Sequence, residues 1–171
     1  YYVKEIAPSE GYLLDEKEHD LVCNYEGDLV VEVTRSTVSE EVVMRQPFQL
    51  IKVSDDGEET NAPLLKGAGF TAYLKSAIPL KKDGSYDFKK ATPVVIGYNG
   101  ETELFSDETG FIITKAIPYG TYVIVESTTP HNMETVKPFE ITILKNAPKE
   151  PQVWRVLIDR EFTAKLRIVK M

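Results

Sequence analysis

Prolines and tight-turn dipeptides cut this chain into short apolar runs, and that punctuation constrains the fold more than any single motif. Pro8, Pro47, Pro63, Pro79, Pro93, Pro118, Pro130 and Pro138 fall between runs rich in Val, Ile, Tyr, Phe and Thr. Proline lacks the N–H that a ladder needs and breaks helix interiors, so it separates strands. No long helical periodicity competes, and the runs read as strands: Tyr1–Ile6, Asp20–Asn24, Leu29–Arg35, Glu41–Arg45, Phe48–Val53, Gly69–Leu74, Val94–Tyr98, Glu101–Ser106, Gly110–Thr114, Gly120–Ser127, Phe139–Leu144, Gln152–Asp159 and Ala164–Lys170. The expected class is all-β. Asp56-Gly57, Asp83-Gly84 and Asn99-Gly100 are tight-turn dipeptides, the last between two strand-like runs and so the best hairpin signal. Ser76–Ala91 is too long and too polar for a hairpin loop and reads as an insertion at one end of a sandwich.

Within the run Phe48–Val53, period two places Phe48, Leu50 and Lys52 on one face. If that face is the core, a buried ammonium is costly unless it is neutral, matched to a carboxyl group, or covalently used up. The alternative is a groove-facing strand whose lysine snorkels to water.

Composition removes several function classes. The net charge of −7 and a pI near 5.0 leave no Lys/Arg stripe to neutralise phosphates, which argues against nucleic-acid binding. Lys81-Lys82 and Lys89-Lys90 are interleaved with Asp83 and Asp87 and read as a solvated loop. No apolar run is long enough to cross a bilayer, so no membrane contact is expected of this fragment. The lone Cys23 excludes an intrachain disulfide, and its acidic flanks fit a semi-buried structural thiol better than a nucleophile. His19 and His131 are far apart and no hydroxyl carries a G-x-S-x-G signature, so an enzyme is not expected. The acidic runs around Asp15–Asp20 and Asp55–Glu59 lack the spacing of an EF-hand loop and read as solvated turns; neither metal nor cofactor is expected.

The chain also echoes itself. Tyr122-Val-Ile-Val-Glu126 followed by Pro130 matches Tyr1-Tyr-Val-Lys-Glu5 followed by Pro8. Met44-Arg-Gln-Pro-Phe-Gln-Leu-Ile-Lys52 resembles Asp159–Lys170 with three extra residues in the latter. The expected organisation is the C-terminal half of one module over residues 1–46, a complete module over 47–160, and the first strand of a third over 161–171. The opening residues already read as mid-strand, as in an excised fragment. A truncated first module exposes strand edges and is expected to be completed by another chain, by the 164–170 strand, or to fold only partly.

With these residues assembled, the middle module resembles the Cna protein B-type domain, the SpaA-like, prealbumin-like repeat of Gram-positive surface adhesins and pilins. The resemblance rests on Leu50-Ile-Lys-Val-Ser-Asp-Asp56, then Leu65-Lys-Gly-Ala-Gly-Phe-Thr-Ala-Tyr73, which is similar to "L-x-G-A-x-F-x-L" except that Ala72 replaces a larger apolar residue. Phe105-Ser-Asp-Glu-Thr-Gly-Phe-Ile-Ile113 is similar to the family's "T-d-x-x-G" strand start. Ile117-Pro-Tyr-Gly-Thr-Tyr-Val-Ile-Val-Glu126 with Pro130 is similar to "L-x-x-G-x-Y-x-x-x-E-x-x-x-P".

The resemblance implies an antiparallel β-sandwich, a stalk module at the cell surface, and a spontaneous intramolecular amide between a first-strand lysine and a last-strand Asn or Asp, promoted by a buried Glu. Carried over, Lys52 is the nucleophile, Glu126 the proton-shuttling acid and Asp159 the carboxyl that is attacked. Val153, Arg155, Leu157 and Asp159 share one face by period two, as do Tyr122, Ile124 and Glu126. Beside apolar residues a carboxyl pKa rises and a lysine pKa falls, so neutral amine and neutral acid can coexist. In the first module Glu5 matches the Glu position, but Met44 takes the last-strand position and cannot form an amide; Lys170 would serve the third. The expected partners are neighbouring modules of the same chain. In the rival reading the 76–91 insertion, through Tyr86 and Phe88, contacts a host matrix protein or glycan. A third reading is a β-sandwich without any covalent bond.

Overall fold

Two sheets take their inner faces from the alternating residues of these strands. The structure, a computed structural model, describes residues 1–30, 32–55, 64–131 and 133–160, with backbone alone at 54, 55 and 155–160. In chain order the strands are β1 Tyr2–Lys4, β2 Tyr12–Leu13, β3 Glu18–Asp20, β4 Val42–Val43, β5 Arg45–Gln46, β6 Phe48–Asp55, β7 Gly69–Leu74, β8 Glu103–Phe105, β9 Phe111–Ile113, β10 Ile117–Pro118, β11 Gly120–Thr128, β12 Phe139–Ile143 and β13 Gln152–Arg160. One sheet has the order β12-β11-β7-β8 and the other β13-β6-β9. Between them lie Phe48 and Leu50 from β6, Ile112 from β9, Phe70 and Ala72 from β7, Tyr122 and Ile124 from β11, and Ile141 and Ile143 from β12. This is the two-layered sandwich expected of amphipathic strands that bury one face each. Ala72 is fully buried, so the small residue in the "L-x-G-A-x-F" segment still faces the core.

One pairing departs from the antiparallel expectation. β13 runs parallel to β6, with Gln152 opposite Phe48 and Val156 opposite Lys52, and the register shifts before Asp159 pairs with Ser54. A step of three residues on β13 against two on β6 is a bulge. It changes the alternation phase of β13, so Asp159 does not share the phase of Val153 as strict period two predicts; it takes a register position in phase with Lys52.

Elsewhere the strand signals were partly misleading. Residues 21–24, 29–35 (31 aside) and 94–98 form no extended strand, and the Asn99-Gly100 turn closes an irregular segment through Ile96 and Gly97 N–H bonds to the Glu101 carbonyl, both 2.9 Å. A β-branched run with no strand partner gains nothing from its propensity. The 76–91 insertion is ordered by one 3-10 turn at Lys75–Ala77, a Leu80–Tyr86 bridge, and the tilted packing of Phe88 against Tyr73 and Tyr86. Cys23 is exposed rather than semi-buried, because its run is not part of a sheet. The expected strand Ala164–Lys170, and Lys170 with it, lie outside the described residues.

Residues 1–46 form two short ladders, β1 with β3 and β2 with β4, and leave Tyr1, Ile6, Val22, Tyr25 and Val38 exposed. They are fastened to the sandwich rather than strung from it. β5 pairs with β10, the Tyr119 N–H donates to the Met44 carbonyl at 2.8 Å, and the Tyr119 hydroxyl donates to Glu10. Tyr119 lies flat on Gly11, where an added Cβ would sit 2.5 Å from its ring; φ of +83° suits glycine as well. Gln46 is buried, donating to the Glu150 carbonyl at 2.9 Å and accepting from Gln152 at 2.8 Å.

Ile141→Ala should lower stability by about 2–5 kcal/mol, seen as a lower denaturant midpoint with an unchanged slope. Val153→Ala, at a residue 60% exposed, should stay within about 0.5 kcal/mol.

Candidate functional site

Lys52 is fully buried, and its ammonium lies among the aromatic and aliphatic residues that form the core. It sits on β6 between β9 and β13, in phase with Phe48 and Leu50, so the alternation that buries those two buries it as well. Its Nζ is 3.2 Å from Glu126 Oε1 and 5.6 Å from the centre of the Phe70 ring. Glu126 comes from β11 in the opposite sheet, in phase with Tyr122 and Ile124, and is itself buried. Its second oxygen, Oε2, accepts the backbone N–H of Val136 at 2.7 Å. The pair spans the sandwich from sheet to sheet.

The backbone around Lys52 is fixed by the motifs on either side. Its N–H donates to the Gly110 carbonyl at 2.8 Å, and its carbonyl accepts the Leu65 N–H at 3.2 Å. Gly110 closes the Asp107–Gly110 turn, in which Asp107 Oδ1 accepts the N–H of Thr109, the hydroxyl of Thr109 and the N–H of Phe111. Those hydrogen bonds, the Thr109 hydroxyl first, hold the Asp107 carboxyl below the ordinary aspartate range. The "T-d-x-x-G" signature is thus a turn that delivers one carbonyl to the Lys52 N–H. Ser106 supports it from behind, bonding Ala68 N–H at 2.9 Å and the Leu65 carbonyl at 2.6 Å. The tyrosine of the "G-x-Y" motif, Tyr122, is buried with its hydroxyl donating to the Pro118 carbonyl at 2.8 Å; burial pushes its pKa up to about 12.

Of the three residues singled out by sequence, Lys52 and Glu126 meet directly, and Asp159 is placed by its backbone beside Ser54, two residues along β6 from Lys52. Three contributors were not anticipated. The Val136 N–H comes from an irregular loop and leaves no side-chain signal; the β13 bulge is invisible to a strict alternation count; Phe70 was visible as the aromatic of "G-A-x-F" but not as a neighbour of the ammonium. Among the described residues no group of three His, Cys, Asp or Glu side chains converges as a metal site would require. Asp15, in the first acidic run, instead accepts hydrogen bonds from Ser39 at 2.6 Å, His19 at 2.8 Å and Lys17 N–H at 3.1 Å, which hold its carboxyl far below the usual value.

A family model described as SpaA, prealbumin-like fold domain, matches residues 46–154. The chain belongs to the SpaA prealbumin-like domain family. Among solved structures it is similar to the Bacillus anthracis TIE protein, at 21% identity and a TM-score of 0.61 over 94% of this chain, and spans only 25% of that protein's length. It is also similar to the N-terminal domain of the shaft pilin SpaA from Lactobacillus rhamnosus GG, at 19% identity and a TM-score of 0.51, over 72% of this chain and all of that domain. At these identities the likeness is one of fold. No curated protein sequence matches the chain. The SpaA motifs here are accounted for physically: each either seats the Lys52 backbone or carries Glu126 to it.

Gly110→Ala should be destabilising by about 1–3 kcal/mol, because a Cβ there would meet the Lys52 carbonyl at 2.5 Å on a backbone with φ of +70°. Thermal unfolding of that variant checks it. The Asp107 contribution should be fully present above the ordinary aspartate pKa and be lost as pH falls through its lowered one, a loss that Asp107→Asn should abolish.

Proposed function

We propose that residues 47–160 are a load-bearing stalk module of a Gram-positive cell-surface adhesin or pilin, locked by an amide between Lys52 and Asp159 that Glu126 promotes. The observation that carries this is the buried Lys52–Glu126 contact at 3.2 Å between the two sheets. Two charges in such a place are costly, and passing the ammonium proton to Glu126 removes both. The neutral amine then attacks the Asp159 carboxyl carbon. As the C–N bond forms, Glu126 gives its proton to the departing hydroxyl of the protonated Asp159 carboxyl, the C–O bond breaks and one water leaves, and the Glu126 carboxylate takes up the second proton from the former amine nitrogen. No co-reactant is needed, and the reaction happens once per chain, without turnover.

The parallel β6–β13 pair gives the bond its mechanical sense. Tension drawn through the chain enters β6 at Phe48 and leaves β13 at Arg160, the opposite ends of neighbouring parallel strands, so it loads their ladder in shear. A link from 52 to 159 carries that load past the whole intervening chain. Closing a loop of about 100 residues also removes denatured-state entropy worth roughly 4–5 kcal/mol on the chain-entropy model. In this reading the partners are the neighbouring modules: residues 1–46 are the back half of a preceding one and residues 161–171 begin the next, on a chain exported to the cell wall. The seating of Tyr119 on Gly11 and of β5 on β10 supports a stiff joint between modules. The rival reading relies on Tyr86 and Phe88 as contact residues for a matrix protein or glycan, and the packing of Phe88 against Tyr73 gives that ring a structural use instead.

Intact-mass measurement of the folded chain should fall about 18 Da below the sequence mass, the mass of one water. Lys52→Ala or Glu126→Ala should restore the unreacted mass. A folded wild-type chain at the full sequence mass would rule the amide out.

A further inference from the structure

The outer face of the β8-β7-β11 sheet carries a polar cluster directly behind the Glu126 position. β11 pairs regularly with β7 from Tyr122 opposite Leu74 to Glu126 opposite Phe70, and then Thr128, not Ser127, pairs with Gly69. Ser127 is therefore the extra residue of a bulge. Its hydroxyl lies 2.6 Å from Glu103 Oε1, 3.0 Å from the Thr71 hydroxyl and 3.3 Å from the Gly69 carbonyl. The Thr128 hydroxyl donates to the same Glu103 oxygen at 2.8 Å.

Glu103 belongs to β8 and reaches these hydroxyls across β7, a path open only because Gly69 has no side chain. A Cβ on Gly69 would overlap the Glu103 carboxylate and come within 2.9 Å of Thr128 Cβ. A glycine inside a strand marks such a close approach. Gly69 stands in the Leu65–Tyr73 motif, so the motif supplies the passage as well as the core residues Phe70 and Ala72.

We infer that Glu103 is a positioning residue for Glu126: by gripping Ser127 and Thr128 it fixes the bulge that ends β11 and aims the following loop back over the sheet. A bulge bends its strand and sharpens its twist. Beyond the bulge the Val136 N–H donates to Glu126 Oε2 at 2.7 Å, leaving Oε1 toward Lys52. The grip needs an acceptor oxygen at position 103, not a charge.

The inference rests on the proposed amide for its chemical consequence but not for its structural one, and two readouts keep these apart. In Glu103→Ala, amide hydrogen exchange at Val136 should rise about tenfold, as expected for one loosened hydrogen bond, while exchange at Ile141 stays unchanged. The fraction of freshly purified chain lighter by one water should fall and then grow slowly with incubation. Glu103→Gln, which keeps the acceptor, should behave as wild type in both, and Gly69→Ala should match Glu103→Ala. Unchanged Val136 exchange in Glu103→Ala, or a Glu103→Gln variant as impaired as Glu103→Ala, would overturn the positioning role. A wild-type chain at full sequence mass would refute the amide, and Val136 exchange would still decide what Glu103 does.

Discussion

A lysine ammonium placed in an apolar core is the constraint from which the rest of this structure follows. Lys52 has no exposure, and Glu126 on the opposite sheet approaches its ammonium at 3.2 Å. Breaking such a pair by removing one member leaves an uncompensated buried charge, whereas replacing both members by apolar residues is often harmless. A pair of this kind is therefore poor material for stability alone. The family motifs are arranged around it: the Asp107 turn seats the lysine backbone, Tyr122 and Ile124 carry Glu126 inward, and the Val136 N–H holds its far oxygen.

The fold and the site were legible in the sequence to different depths. Runs whose apolar residues alternate and find partners, such as Phe48–Val53, Gly69–Leu74 and Gly120–Ser127, read directly as the central strands, because burial of one face enforces period two. Runs such as Leu29–Arg35 and Val94–Tyr98 have the same composition, but their described residues join no ladder; Val94 and Ile96 make isolated bonds, to the Ala72 carbonyl and from the Lys115 N–H, and composition cannot report that difference. The parity of Lys52, Ile124 and Glu126 was enough to place two of the three site residues. Asp159 lies beyond a bulge, so counting by twos assigns it the wrong phase, and only the register with Ser54 corrects it.

The sandwich also shows how irregular elements do what regular alternation cannot. Two bulges bracket the site, one on β13 between Val156 and Asp159 and one on β11 between Glu126 and Thr128. The first changes which residue comes into phase with Lys52. The second redirects the chain after Glu126 so that a loop amide reaches its carboxylate. Bulges re-aim residues in this way near functional sites, and the one on β11 is flanked by Gly69 and by the Glu103 contacts to Ser127 and Thr128.

Peptide mapping by fragmentation mass spectrometry after trypsin digestion is the most direct measure of whether the buried lysine has been consumed. A branched peptide in which the side chains of Lys52 and Asp159 are joined is expected, with trypsin unable to cleave after Lys52. Recovery of linear peptides alone, with cleavage after an unmodified Lys52, would contradict it.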